Sequence, residues 1–369
     1  MNGDYLMPHL IGWPYYNKPP LFNWVMIPFF KLFGSFSEWV VRLPSTLSLL
    51  LLAFLNWRLI RKYIGAEVAL LSSLFLLASA DILYYGSVNT GEIDLFFAFL
   101  TYMNLMVIYL FLERKQYLWL FVLSYFLAAL GFLTKGLPSV AFQGLTLVTG
   151  LIYFRVFRLF FSWKNLLGIL VFVALAGGYM LLLDQRGEMN GFLIRQVKES
   201  SQRTGIESDF FSTIKGLLEN PAVLFKISLP WTLALLGFFS KTIRRKVMAN
   251  RLVTYSLLVV AVNFPLYWIT GELRARYIYP IIPFLCIACA MLVYEGYRTH
   301  RAFRIAIDKV LLPLFALFPL AMGAAFFIPD LQMNVLNKII NALLISGSIA
   351  LIYYYKRNQA IRIYAIVLL

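Results

Sequence analysis

The sequence predicts an all-α, polytopic membrane protein of about eleven transmembrane helices. Three observations carry that expectation. Hydrophobic residues make up 61% of the chain, charged residues 14%, and mean hydropathy is +0.76, values outside the range of soluble domains. Apolar runs close to the length of a span recur along the whole chain. Most of the 33 basic residues fall in every second connection between those runs.

The chain opens with a polar, aromatic and proline-broken stretch, residues 1–38. Within it, 21–34 is apolar but short and broken by Pro28, which favours an interfacial position over a span. Spans are then expected at 40–60, 66–85, 94–112, 117–134, 137–154, 165–183, 222–240, 252–270, 278–296, 308–327 and 337–355, followed by a stub from Ile361 to Leu369. The organisation read from this is a single transmembrane domain, 1–369, with no internal repeat. Residues 1–38 form the first outer loop, 185–221 a long outer loop and 306–369 the C-terminal helices.

Clusters such as Arg58-Arg61-Lys62, Arg155-Arg158-Lys164 and Lys241-Arg244-Arg245-Lys246 mark one face as cytoplasmic. The net charge of +16 is thereby accounted for by topology, and nucleic acid is not expected as a partner. Cys286 and Cys289 form C-x-x-C inside an apolar run without polar neighbours, so they read as ordinary helix residues. Met1 opens onto a polar loop, so no cleavable signal peptide is expected.

The opposite face carries the two longest polar segments and the ionisable groups that lie nearest the membrane, where charge is costly. Glu92 and Asp94 open a span. They are either helix N-terminal carboxylates favoured by the dipole or part of a site. Placed on one helix two residues apart, they would face different ways, leaving one directed into a site. Lys135 sits in a very short turn, as a snorkelling lysine or an anion ligand. Arg274 and Arg276 are a second breach of the charge rule. Lys18, fixed by Pro19 and Pro20, is a third. Several cations and few carboxylates at headgroup level suit a phosphate on a lipid carrier, with a carboxylate as base. His9 stands alone, and His300 lies in a basic cytoplasmic loop, so no zinc site is visible.

Together these residues resemble a family. Gly3-Asp4, Pro8-His9-Leu10, Tyr15 and Lys18-Pro19-Pro20-Leu21 resemble the first extracytoplasmic loop of the lipid-carrier-dependent GT-C glycosyltransferases. The aminoarabinose (lipid A) transferases and the bacterial protein-mannosyltransferase-like proteins of family 39 are the most similar. Arg42-Leu43-Pro44-Ser45, Asp94-Leu95-Phe96-Phe97, Thr134-Lys135-Gly136, Pro230-Trp231 and Arg276-Tyr277 with Pro280 and Pro283 follow in the family's order. The resemblance spans residues 3 to 290.

The resemblance implies transfer of a sugar from a polyprenyl phosphate to an acceptor hydroxyl or phosphate on the extracytoplasmic face of a bacterial inner membrane, with inversion. The acceptor would be lipid, protein or glycan, and no soluble nucleotide sugar is needed. By motif, Lys18, Lys135, Arg203 and Arg276 correspond to donor-phosphate ligands. Asp94 corresponds to a catalytic carboxylate, with Glu92 as the rival register, and Tyr15, Tyr16, Asn17 and Tyr277 line the substrate. The family's main acidic motif lies upstream of Gly3-Asp4, and Asp4 does not replace it. The expectation is therefore that a first helix is missing and that the chain as given is inactive. Some relatives hold a divalent ion through a Glu before the loop lysine and a His in the long loop. Asn17 and Ser200 stand at those places here, so neither metal nor cofactor is expected.

The rival reading is a multi-span transporter or lipid flippase, which predicts inverted repeats and charges at the midplane. A non-catalytic membrane scaffold leaves the outer-face cations unexplained.

Overall fold

A computed structural model describes residues 5–79, 81–82, 90–204, 210–268, 273–299, 301–324 and 335–357. Gly3-Asp4 and His300 lie outside these residues. The polytopic, all-α expectation is borne out, and every one of the eleven apolar runs contributes a helix. Hydrocarbon offers backbone amides no water, so an apolar run inserted in it must close its hydrogen bonds internally. The described exception is a two-stranded ribbon, His9–Leu10 with Trp13–Pro14, turned through Ile11 and Gly12 at positive φ.

The described residues hold fewer full-length spans than the eleven expected. Six described helices are long and apolar enough to cross a membrane, or up to seven if the pair Ile214–Ile227 and Trp231–Phe239, bent by 112°, is one span. Ala66–Leu77 has only 12 residues and Leu137–Tyr153 has 17. At about 1.5 Å per residue the first reaches little more than half of the hydrocarbon thickness. Leu21–Phe33, of 13 residues, is too short to span, as expected.

Asp94–Glu113 and Tyr279–Thr299 form the centre of the bundle, with 78% and 83% of their apolar windows buried, against 22% for the peripheral Trp163–Asp184. The middle of Glu38–Ile64, residues 49–55, is apolar all round. Leu49, Leu52, Ala53, Asn56 and Ile60 are buried, while Leu47, Leu50, Leu51 and Phe54 face outward, where lipid would cover them.

Polar side chains pin these apolar surfaces in register. Asn56 Nδ2 donates to Ser72 Oγ and Ser73 Oγ, both at 3.0 Å, and its Oδ1 accepts from Tyr102 OH at 2.7 Å. Asn263 Nδ2 donates to Thr146 Oγ1 at 2.9 Å. Glycine provides the close approaches: a Cβ on Gly168 would lie 2.5 Å from Tyr125, and one on Gly131 would lie 2.2 Å from Ser139 Oγ. Replacing Asn56 by Leu is expected to destabilise the protein by about 1–3 kcal/mol, because it strands the buried Tyr102 hydroxyl. A thermal melt in detergent that matches wild type would show that this seam contributes nothing.

Candidate active site

Helix order brings the site together. Asp94–Glu113 and Tyr117–Lys135 are joined by a three-residue turn and run antiparallel, so the start of one lies beside the end of the other. Asp94 thus sits at a helix N-terminus and Lys135 at a C-terminus, the ends whose dipoles favour those charges. Lys135 Nζ donates to Asp94 Oδ1, with only 4% and 5% of the two side chains exposed. The ammonium also lies 5.1 Å from the ring centroids of Phe97 and Tyr277.

Arg276 occupies a 3-10 turn, Ala275–Tyr277, just before the last central span. Its Nη1 donates to Glu92 Oε2, and its Nε lies 4.0 Å from Asp94 Oδ2. Burial alone would lower the pKa of this guanidinium. The hydrogen bond to Glu92 and the charges of Asp94 and Glu92 outweigh burial and raise it, so Arg276 stays protonated. Ser45, from the Arg42-Leu43-Pro44-Ser45 motif, donates to the Glu92 carbonyl at 2.7 Å and fixes that turn.

Here the helical reading of Glu92 fails. The helix begins at Asp94, so Glu92 lies in the preceding turn and both carboxylates reach the same arginine. A third acid joins them: Asp81 Oδ2 accepts from Tyr279 OH at 2.7 Å, and the charges of Asp94 and Glu92 also act on that phenol. Sequence reasoning passed over Asp81, although an aspartate within the 66–85 apolar run is itself a signal.

The first loop docks against this cluster. Lys18 is close enough for its charge to act on Asp94, and its Nζ donates to Glu199 Oε1 at 2.8 Å. Gln196, 4% exposed, donates to the carbonyls of Tyr16 and Asn17, both at 3.2 Å. A Cβ on Gly136, at φ +78°, would come within 2.0 Å of Gln196 Oε1. One amide therefore ties together the first loop, the Met189–Thr204 helix and the turn after Lys135. Asn17 Oδ1 accepts from Arg195 Nε. The Tyr16 ring packs on Gly191, and a hydrogen bond to Glu188, with burial and that carboxylate's charge, raises its phenol above the ordinary value. Tyr15 closes the ribbon through its backbone N–H to Pro8 O at 2.7 Å. His9 Nδ1 lies 2.9 Å from Met7 O.

Asp94, Glu92, Lys135, Arg276 and Tyr277 thus form one cluster, with Lys18, Asn17 and Tyr16 beside it. Arg203 lies on Met189–Thr204, and its side chain is outside the described residues, as is that of Ser200. The expected excess of cations is corrected. Lys18, Lys135 and Arg276 each hold a carboxylate, because a charge withdrawn from water needs a counter-charge. Among the described residues, no three His, Cys, Asp or Glu side chains group as metal ligands.

Residues 17–181 match the family model described as dolichyl-phosphate-mannose-protein mannosyltransferase, which bears out the resemblance read from the sequence. The whole chain is similar to two crystal structures of ArnT from Cupriavidus metallidurans. It covers 99% of this chain at 22% identity and a TM-score of 0.71 for the structure bound to undecaprenyl phosphate. For the apo structure it covers 100% at 21% identity and 0.69. An uncharacterized protein of Aquifex aeolicus (strain VF5) is 28% identical over 208 residues, 55% of this chain. The chain spans 40% of that relative and 66% of either ArnT chain.

Proposed function

We propose that this chain is the catalytic membrane core of a glycosyltransferase that moves a sugar from a polyprenyl phosphate to a hydroxyl or phosphate acceptor, with inversion. The observation that carries the reading is the Asp94–Lys135–Glu92–Arg276 cluster, cations and carboxylates interleaved at one end of the bundle. The undecaprenyl phosphate bound to ArnT supports the same carrier here. The positive-inside pattern supports an extracytoplasmic position for the cluster, and the fold suits a bacterial inner membrane. Its position at helix ends favours transfer over transport across the midplane.

In the proposed reaction the acceptor oxygen attacks the anomeric carbon from the side opposite the carrier. The bond from that carbon to the phosphate oxygen breaks, and the phosphate leaves with the electron pair. Arg276, Lys135, Lys18 and Arg203 neutralise it as charge builds. A carboxylate takes the acceptor's proton. Glu92, 35% exposed against 5% for Asp94, is the more accessible base, and Asp94 orients Lys135 and Arg276. Tyr15, Tyr16, Asn17 and Tyr277 line the substrate.

The direct test is a thermal shift of the purified protein with undecaprenyl phosphate and with undecaprenol. Stabilisation by the phosphate alone is expected; equal stabilisation by the neutral alcohol would remove the phosphate reading. Two further outcomes are expected in a transfer assay of the full-length protein. Lys18→Ala should cut the rate about tenfold, roughly the loss of one charge-assisted contact; an unchanged rate would take Lys18 out of the reaction. Activity should also survive a chelator, because Asn17 faces the Arg195 guanidinium, an unsuitable neighbour for a divalent ion. Loss on chelation with rescue by a divalent ion would contradict this.

A further inference from the structure

We propose a second anion site, at the opposite end of the bundle from Asp94 and Lys135, that takes the phosphate of an anionic lipid headgroup. The helix Tyr117–Lys135 has 19 residues, so its two ends lie about 28 Å apart. Lys135 closes one end. At the other, Tyr117 joins Ile152, Arg155, Phe157 and Arg158 in lining a cleft of about 610 Å³.

The backbone builds this cleft. Leu137–Tyr153 ends in a turn in which Val156 N–H bonds Leu151 O at 2.8 Å and Arg155 takes a left-handed φ of 59°. Glycine ordinarily fills that position, because a side chain there is strained. The chain then folds into the 3-10 segment Phe157–Phe161, which brings Arg158 to the same cleft as Arg155.

Charge favours an anion. Among the described residues neither arginine bonds a carboxylate. Glu113, four residues before Tyr117, is held by Arg251 at 3.2 Å. Lys164 adds a third cation, with Nζ 5.7 Å from the Tyr117 ring centroid. The N-terminus of Tyr117–Lys135 opens here too, with its unpaired amides and positive dipole end. Two guanidinium forks suit phosphate oxygens better than ammonium groups do.

Depth argues for a lipid. Tyr117 and Trp163 each begin a candidate span, and Trp163 and Phe161 are 65% and 79% exposed. Exposed aromatics at span ends mark the membrane–water interface, the level of lipid phosphates.

The test is a thermal shift of the purified full chain with phosphatidylglycerol, phosphatidylcholine or inorganic phosphate. Phosphatidylglycerol should raise the melting temperature and phosphatidylcholine should not. Arg155→Ala with Arg158→Ala should lose at least half of that shift, while Arg58→Ala, on the helix Glu38–Ile64, keeps it. A double variant with the full shift overturns the site. Inorganic phosphate matching the lipid overturns the lipid assignment. If the alanine pair unfolds, native mass spectrometry of Arg155→Gln with Arg158→Gln decides the question by the same criterion: undiminished retention of phosphatidylglycerol overturns the site.

Discussion

Replacing Lys135 by Met should destabilise the fold by about 3–5 kcal/mol and abolish transfer, the largest combined effect expected from one substitution. The physical cause is the Asp94 carboxylate, 5% exposed, which loses the ammonium that compensates its burial. Arg276 Nε, at 4.0 Å, is a weaker partner already shared with Glu92. Removing the charge from both sides at once separates structure from chemistry. The pair Asp94→Asn with Lys135→Met should recover most of the lost stability, since no ion is then left alone in the low-dielectric interior. Transfer should stay absent, because a neutral pair offers the phosphate nothing. Recovery of transfer together with stability would make the pair purely structural, and wild-type stability of Lys135→Met would show that Asp94 finds another counter-charge.

Arg276→Lys should lower the transfer rate by about 10²–10³-fold, the loss typical of one charge-stabilising donor at a reacting centre, and leave the fold nearly intact. The guanidinium meets Glu92 through one nitrogen and approaches Asp94 through another, a fork that a single ammonium cannot copy. Being 31% exposed, it carries less of the fold's stability than Lys135. A rate within threefold of wild type would mean that only charge is required there. A fall in melting temperature as large as that of Lys135→Met would place Arg276 in the scaffold.

The bundle was legible because lipid forces a simple code: apolar runs become helices wherever they are long enough. The same code does not reveal the 112° bend between Ile227 and Trp231 or the end of the helix at Leu77, because both depend on packing rather than on the length of an apolar run. At the site, Asp94, Lys135, Lys18 and Arg276 stood out as ions where ions are costly. Their partners did not. Lys18 meets Glu199 from 181 residues away, and Gln196 is an unremarkable amide until Gly136 is seen beside it. Glu92 stands two residues before the helix start at Asp94, and helix ends are set by local contacts that apolar periodicity does not show.

The pairing of Lys18 with Glu199, Lys135 with Asp94 and Arg276 with Glu92 would make arrival of the proposed donor an exchange. A phosphate that claims one of these cations leaves a carboxylate without its counter-ion, and an abandoned carboxylate in a shielded place is a stronger base. The proton acceptor would then be switched on by the same event that loads the sugar. Before loading, the acids would stay muted and a stray water would find no activated base. That arrangement would protect a costly lipid-linked sugar from idle hydrolysis without a lid or any moving domain.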